Sequence, residues 1–563
     1  MNPCSRLGIA GLLALGCSTL YASGPRFEIS YPMSAGPLDG HVMLILAVND
    51  KTEPRFQISF TYDSAQAFGV DVDGLAPNSA AVIDGSTLGY PKDSLSQVPA
   101  GKYAVQAVFN LYESYHLANG KTVKLPPDRG EGQHWQSKPG NLYSKSEMVD
   151  FDPAANKVFR ITLSEKIPPL EDDPKFADNK WVKHLQLRSE KLSRFWGREV
   201  TLGAVLLLPD GWDEHPDAHY PLIVEQDHFS RGLPGLLSFR TTPPEPGLKG
   251  RERSQAESAY KLYQDWTSGR MPRVIVLSIQ HPTPYFDDSY AVNSANVGPY
   301  GDAITEELIP YIEQKYRGIG QGWARSVYGG STGGWETLAS QVFYPDFYNG
   351  AWVFCPDVVD FRAYMTMNLY EDKNAFWMEG PFGKSPRPAM RQPDGLILST
   401  MEMMNRYELV QGTKGRSGEQ LDIWQAVFST AGEDGYPTPI FNKRTGEIDH
   451  RVAEYWKEHY DLSHIMQRDW ATLGPKLAGK LHFYVGDADS FYLDRAVHLL
   501  DEFMETTTDP YYRGSFEYGA RKPHCYTGSY DPAVGLNQHY IPEMVKHMEQ
   551  TAPKGADLTS WKY

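Results

Sequence analysis

The rhythm of apolar and polar positions changes near residue 198, and the change predicts two kinds of structure along one chain. From about 25 to 167, short runs rich in Val, Ile, Phe and Tyr are separated by connectors rich in Pro, Gly and Asp. The runs His41 to Val48, Arg55 to Tyr62, Lys102 to Tyr115 and Lys157 to Ile167 predict strands, because several alternate with period two and turn residues bound them. Strands with one apolar face bury it by packing sheet on sheet. An all-β sandwich of immunoglobulin-like type is therefore expected over residues 23–167. A polar connector, residues 168–198, follows with Pro168, Pro169 and the acidic Glu171, Asp172 and Asp173.

Beyond the connector, strands alternate with helices, the pattern of an α/β unit with a mostly parallel sheet. Val200 to Leu208, Pro221 to Gln226, Val274 to Gln280, Ser326 to Gly329, Ala351 to Phe354, Lys480 to Val485 and Gly514 to Tyr518 read as strands. Asp302 to Tyr316 carries Ile304, Leu308, Ile309 and Ile312 at helical spacing, and residues 335–343 form a second helical stretch. About 120 residues between Cys355 and Lys480 exceed what such a sheet needs and are studded with Trp, Met and Tyr. Connections of that length serve as lids or caps, so residues 358–479 are expected to form a mostly helical insertion over a site within the 199–563 unit.

At 563 residues the chain is too long for one ordinary core, which agrees with two or three folded units. The formal net charge of -16 and the absence of a basic run exclude a nucleic-acid partner from the expected functions. The N-terminus carries Arg6, the apolar stretch Leu7 to Leu15, and small residues around Tyr21, Ala22 and Ser23. This is the pattern of a signal peptide, residues 1–22, and predicts a secreted or periplasmic protein. The alternative is lipidation at Cys17, for which Ala14 and Leu15 are a poor context. The apolar stretch is too short to span a bilayer and no later stretch is longer, so no membrane span is expected. Beyond the signal the cysteines are Cys355 and Cys525. They form either a disulfide or two small thiols, and sequence spacing does not choose between these.

The chemistry is concentrated in Tyr328-Gly329-Gly330-Ser331-Thr332-Gly333-Gly334-Trp335, which contains G-x-S-x-G between a strand and a helix. A sharp strand-to-helix turn exposes the serine hydroxyl, and glycines two before and two after keep side chains out of the bend. Ser331 is the candidate nucleophile, with the Thr332 N–H as an oxyanion donor. A serine needs a base, and the base an acid to orient it, in the chain order Ser, Asp, His for this fold. Downstream, the loop Gly486-Asp487-Ala488-Asp489-Ser490 follows a strand, and Pro523-His524-Cys525 follows another. His524 is the candidate base, preferred to His539 in the terminal helix. Asp489 is the candidate acid, with Asp487 as its rival and Asp494 behind both.

Leu206 to Asp213 (LLLPDGWD), Tyr220 to Gln226 (YPLIVEQ), Glu306 to Tyr316 (EELIPYIEQKY), the serine turn and Tyr344-Pro345-Asp346-Phe347 together resemble an esterase family of α/β hydrolases. That family includes esterase D, feruloyl esterases, enterochelin esterases and mycolyltransferases. The resemblance covers residues 199–357 and, more loosely, 480–527. It implies an α/β-hydrolase domain cleaving a carboxylic ester of a small-molecule or saccharide substrate. Relatives carry His-Gly after the strand ending near Gln226, and that loop gives a second oxyanion N–H. Here the loop reads Asp227-His228-Phe229, so the resemblance implies His228 or Phe229 as donor.

Neither H-E-x-x-H nor paired C-x-x-C occurs, Asp71-Val72-Asp73-Gly74 lacks the rest of a calcium loop, and no phosphate-binding glycine loop follows a strand. No metal and no cofactor are expected. A prolyl-oligopeptidase-type serine peptidase, an acyltransferase, and a carbohydrate-binding protein with a vestigial hydrolase domain are the competing functions.

Overall fold

The computed structural model describes residues 24–32, 36–128, 131–169, 177–227 and 238–563. The signal-peptide and Cys17 expectations, and His228 and Phe229, lie outside the described residues.

The larger unit is built on one eight-stranded sheet: β1 (Val182–Arg188), β2 (Thr201–Leu207), β3 (Leu222–Gln226), β4 (Ile275–Gln280), β5 (Arg325–Gly330), β6 (Ala351–Phe354), β7 (Leu481–Gly486) and β8 (Ser515–Gly519). Their spatial order is β1-β2-β4-β3-β5-β6-β7-β8. The pairs β1/β2 and β2/β4 are antiparallel, and every later pair is parallel. β3 and β6 are buried along their whole length, as befits a parallel sheet covered on both faces; β6 is a continuous apolar run, whereas β3 ends in the buried polar Glu225 and Gln226. The order jump between β3 and β4, made through the helix Gly250–Trp266, leaves the C-terminal ends of β3 and β5 side by side. This is the α/β-hydrolase arrangement, and crevices at such strand ends are where α/β sheets hold their sites.

Two features of this unit differ from the sequence-based expectation. The stretch read as a connector, residues 168–198, supplies β1, paired from Val182↔Leu207 to Arg188↔Thr201, and the helix Glu190–Trp196. β1 is an edge strand only partly buried, so Lys183, His184, Gln186 and Arg188 occupy it without the apolar alternation that marks a strand. The helix expected at Asp302 to Tyr316 begins at Tyr300 and passes through a π-helical turn at Ala303–Leu308. There the Ile309 N–H reaches back to the Ile304 carbonyl, and the widened turn precedes Pro310, whose ring cannot continue the ordinary pattern.

The N-terminal residues form a three-stranded and a seven-stranded sheet that share an apolar core of Phe27, Ile29, Val42, Leu44, Phe68, Phe109 and their neighbours. The strand expected at Arg55 to Tyr62 is instead a 3-10 turn, Pro54–Phe56, followed by irregular chain. Pro54 has no N–H for a ladder. Hydroxyls also take the local backbone: Ser59 N–H donates to Ser64 Oγ at 3.0 Å and Thr61 N–H to Ser59 Oγ at 3.2 Å. The ladder is continued by Gln66–Leu75, antiparallel to Leu38–Ala47.

The insertion contains the helices Met401–Gln411, Gln420–Phe428, His450–Tyr460 and Leu462–Leu477, and also two short hairpins, Trp377–Gly380 with Gly383–Pro386 and Pro388–Arg391 with Ile397–Thr400. Helix Met401–Gln411 lays Tyr407 and Val410 on the outer face of the N-terminal sheet, against Met43, Ile45, Ala67, Tyr90, Val108 and Trp135.

At the base of β5, Arg325 forms a two-pronged contact with Glu313 of the preceding helix, Nε and Nη2 each 2.7 Å from a carboxylate oxygen, with both side chains nearly buried. Removing one member leaves the other charged and unpaired. Arg325→Met is expected to cost roughly 3–5 kcal/mol in guanidinium unfolding, whereas a loss under about 1 kcal/mol would show that the pair is not shielded from water.

Candidate active site

Ser331 stands at the end of β5, where the chain turns into helix Thr332–Phe343, with φ 58° and ψ -120°. Few residues other than glycine hold such a conformation, and its persistence requires tight surroundings. The surroundings are backbone. A Cβ on Gly329 would lie 2.4 Å from the Gln226 carbonyl oxygen, one on Gly333 would lie 2.0 Å from the same atom, and one on Gly334 would lie 2.4 Å from the Phe354 oxygen. The Ser331 N–H donates to Phe354 O at 3.1 Å, and its carbonyl accepts from Gly334 N and Asp357 N at 2.9 and 3.1 Å. Thr332 opens the helix, where a first-turn N–H has no intrahelical acceptor and points out of the helix end.

β7 and β8 bring the distant partners to the same edge. The Ser331 hydroxyl donates to His524 Nε2 at 2.8 Å, and His524 Nδ1 donates to Asp489 Oδ2 at 2.7 Å. Asp489 is fully buried, and its other oxygen accepts the N–H groups of Phe491 at 2.9 Å and Leu493 at 3.3 Å. Burial opposes charging of His524, but the Asp489 carboxylate outweighs it and raises the imidazole pKa. Asp487 is exposed and accepts the Arg521 backbone N–H instead. Asp494 begins the next helix and contacts Arg391, 3.3 Å away; burial and the neighbouring Asp489 charge push its carboxyl up to about 6. His539 lies in the first turn of helix Leu536–Thr551 and stacks on Tyr530.

Several residues at this site carry no signature in the sequence. Phe491 sets its ring edge-on to His524 with centroids 5.3 Å apart. Arg391, from an insertion hairpin, donates to the Asp489 carbonyl at 2.9 Å. Asp357, just past β6, accepts the Tyr290 hydroxyl at 2.6 Å and the Thr332 hydroxyl at 3.1 Å, while Trp424 Nε1 donates to Tyr290 at 2.6 Å. Gln420 donates to Asp357 at 3.3 Å. Burial, then the Asp357 charge, keeps Tyr290 a neutral phenol. Thus helix Gln420–Phe428 of the insertion touches the residues around the serine turn, as a cap does.

Beneath the turn, His281, Asp288 and Glu336 are all buried, with possible metal-donor atoms within 4.8 Å of one another. His281 Nδ1 accepts the Ser289 N–H at 2.9 Å, which leaves the ring proton on Nε2, 3.9 Å from Glu336. Burial, then the charges of Asp288, Asp227 and Asp357, raises the Glu336 pKa well above the carboxylate range. A second group, Cys355, His524 and Cys525, adjoins the serine; its two sulfurs are not bonded to each other.

Residues 197–401 match the model of a family described as "Putative esterase". No curated protein matches the chain in sequence. Among solved structures, a ferulic acid esterase is 14% identical over 65% of this chain and 98% of its own, with a TM-score of 0.34. An S-formylglutathione hydrolase from Agrobacterium tumefaciens is 12% identical, covering 65% and 94%, with a TM-score of 0.31. A ferulic acid esterase from Anaeromyces mucronatus is 14% identical, covering 66% and 94%, with a TM-score of 0.27.

Glu336 gives a measurable signature. An acid whose folded pKa is raised keeps its proton in the folded chain while the unfolded chain ionises near pH 4.3, so stability falls as pH rises, by up to about 1.4 kcal/mol per unit. Glu336→Gln removes that loss. Its thermal midpoint is expected to match the unaltered protein near pH 4 and exceed it increasingly toward pH 8; a constant difference across this range would contradict the neutral acid.

Proposed function

We propose, starting from the match of residues 197–401 to the esterase family of α/β hydrolases, that the protein is a serine hydrolase that cleaves carboxylic esters through an acyl-enzyme. The observation that carries this is the continuous hydrogen-bonded chain from Ser331 through His524 to Asp489, with contacts of 2.8 and 2.7 Å. In the first step His524 Nε2 takes the Ser331 proton as Oγ attacks the ester carbonyl. The charge that develops on the carbonyl oxygen meets the Thr332 N–H, and a second donor comes from His228 or Phe229. His524 then gives its proton to the leaving alcohol, and water repeats the sequence on the acyl-enzyme. Asp489 holds the imidazole in the tautomer that accepts at Nε2 and stabilises its charged form. The preference for esters over amides rests on the family match alone.

The insertion, rich in aromatic residues, favours a bulky ester, of an aromatic acid or a saccharide. The N-terminal residues are assigned to an immunoglobulin-like sandwich that supports this insertion. Export, with cleavage of residues 1–22, belongs to the same proposal, and N-terminal sequencing of the mature protein is expected to begin at Ser23.

The test is a panel of acetyl, feruloyl and glucuronoyl esters together with prolyl and aminoacyl p-nitroanilides, combined with fluorophosphonate labelling. Ester turnover and labelling are expected in the unaltered chain, with a loss of roughly 10⁴-fold or more in kcat/KM and no labelling in Ser331→Ala. Turnover confined to the anilides would replace the esterase with a peptidase. Absence of labelling in the folded protein would leave a binding protein.

A further inference from the structure

Cys355 and Cys525 flank the Ser331–His524 contact from two different loops. Cys355 follows β6 and fixes its backbone by donating to the Tyr484 carbonyl at 2.7 Å, whereas Cys525 directly follows His524. Both are held at positive φ, 35° and 65°, which disfavours any residue with a side chain. The outcome is a convergence: both sulfurs and a ring nitrogen of His524 lie within 4.8 Å of one another. Cys355 is buried, while Cys525 is exposed and lines an open groove of about 950 Å³ bordered by Lys522, Thr527 and Tyr530. The thiols are unequal. Burial raises the pKa of Cys355, while a hydrogen bond from Cys355, aided by His524, lowers that of Cys525.

We propose that Cys355, Cys525 and His524 form a binding site for a thiophilic divalent cation of the zinc class, and that its occupation turns the serine centre off. A tetrahedral zinc with bonds of about 2.0–2.3 Å to nitrogen and sulfur spaces its ligands roughly 3.3–3.8 Å apart, a spacing that the two sulfurs and a ring nitrogen, within 4.8 Å of one another, approach. His524 Nδ1 already donates to Asp489, the carboxylate–histidine arrangement that orients an imidazole toward a metal. The nitrogen left for the cation is Nε2, which otherwise accepts from Ser331. Binding releases the Cys355 and Cys525 thiol protons to solvent, both sulfurs coordinate as thiolates, Ser331 keeps its own proton, and the fourth position takes water from the groove. The cation reaches the site through the exposed Cys525.

The site itself needs only these three side chains, but the switching-off rests on the esterase proposal, and two measurements separate them. Cobalt(II) added to the reduced full-length Ser331→Ala chain reads the site without any catalysis. A near-ultraviolet thiolate-to-cobalt band at one ion per chain is expected, displaced by zinc and lost in the double variants that add Cys355→Ser or Cys525→Ser. In the unaltered enzyme, zinc is expected to inhibit ester turnover reversibly to a chelator. Cys355→Ser is expected to keep basal turnover while needing at least tenfold more zinc for the same inhibition. A cobalt band without ester turnover keeps the metal site and removes the esterase. No cobalt band in a chain with native circular dichroism overturns the site, as does equal zinc sensitivity in Cys355→Ser.

Discussion

The close approach of three backbones at the end of β5 is the constraint on which the rest depends. Gln226 O, at the end of β3, stands where a side chain on either Gly329 or Gly333 would be, and Phe354 O, at the end of β6, stands where one on Gly334 would be. With side chains excluded from these positions, the strand can turn into a helix within one residue, and Ser331 takes up the turn in a conformation that costs about 1–3 kcal/mol. That cost is offset by the packing of the parallel sheet on both sides. The hydroxyl is thereby aimed outward by rigid strands and not by a loop, which is the condition for holding a reacting group to within a fraction of an ångström.

This constraint also explains what could be read from the sequence. Close backbone approach demands glycine, so the turn leaves a mark in residue types. Buried parallel strands favour apolar residues, and β3, β5, β6 and β7 lie within a residue or two of the stretches the sequence marks as strands, although Glu225, Gln226, Arg325, Ser326 and His482 interrupt the apolar runs. The order of Asp489 and His524 after the strands β7 and β8 follows from the same sheet. Asp487 and Asp489 are alike in the sequence because both leave β7 together; in the fold the backbone sends one carboxylate to the Arg521 N–H and the other to His524. The edge strand β1 was missed because partial exposure permits charged residues. Arg391, Tyr290, Asp357 and Gln420 were missed because they arrive from separate segments, and nothing local distinguishes an arginine that meets a distant carbonyl from one that meets water. The convergence of Cys355 with Cys525 belongs to the same class.

Acidic side chains gather behind the serine turn, where Asp288, Glu336 and Asp357 are all buried. The Asp357 carboxylate is satisfied by hydroxyl and amide donors from Tyr290, Thr332 and Gln420. Hydrogen bonds from neutral donors stabilise a buried carboxylate without adding a second buried charge, which itself costs several kcal/mol to desolvate. At Glu336, burial and then the charges of Asp288, Asp227 and Asp357 push the carboxyl well above the usual carboxylate range.

The N-terminal sheet reaches this same network through the insertion. His41 bridges Asp71 and the Val410 carbonyl, each at 2.7 Å, and Arg416 contacts Asp71 at 2.8 Å. Against its burial, His41 and Arg416 hold the Asp71 carboxyl well below the usual carboxylate range. Trp135, in the turn that precedes Leu142, donates to Gln411 at 2.7 Å and so fixes the C-terminal end of helix Met401–Gln411 to the N-terminal unit. Glu408 of that helix accepts the Leu421 N–H at 2.8 Å, which sets the start of helix Gln420–Phe428, and this second helix delivers Gln420 and Trp424 to Tyr290 and Asp357. Most of the insertion's buried apolar residues pack with the hydrolase sheet, but Tyr407 and Val410 pack against the N-terminal strands instead. The N-terminal strands supply a wall there, which makes them part of the site's construction through helix Met401–Gln411.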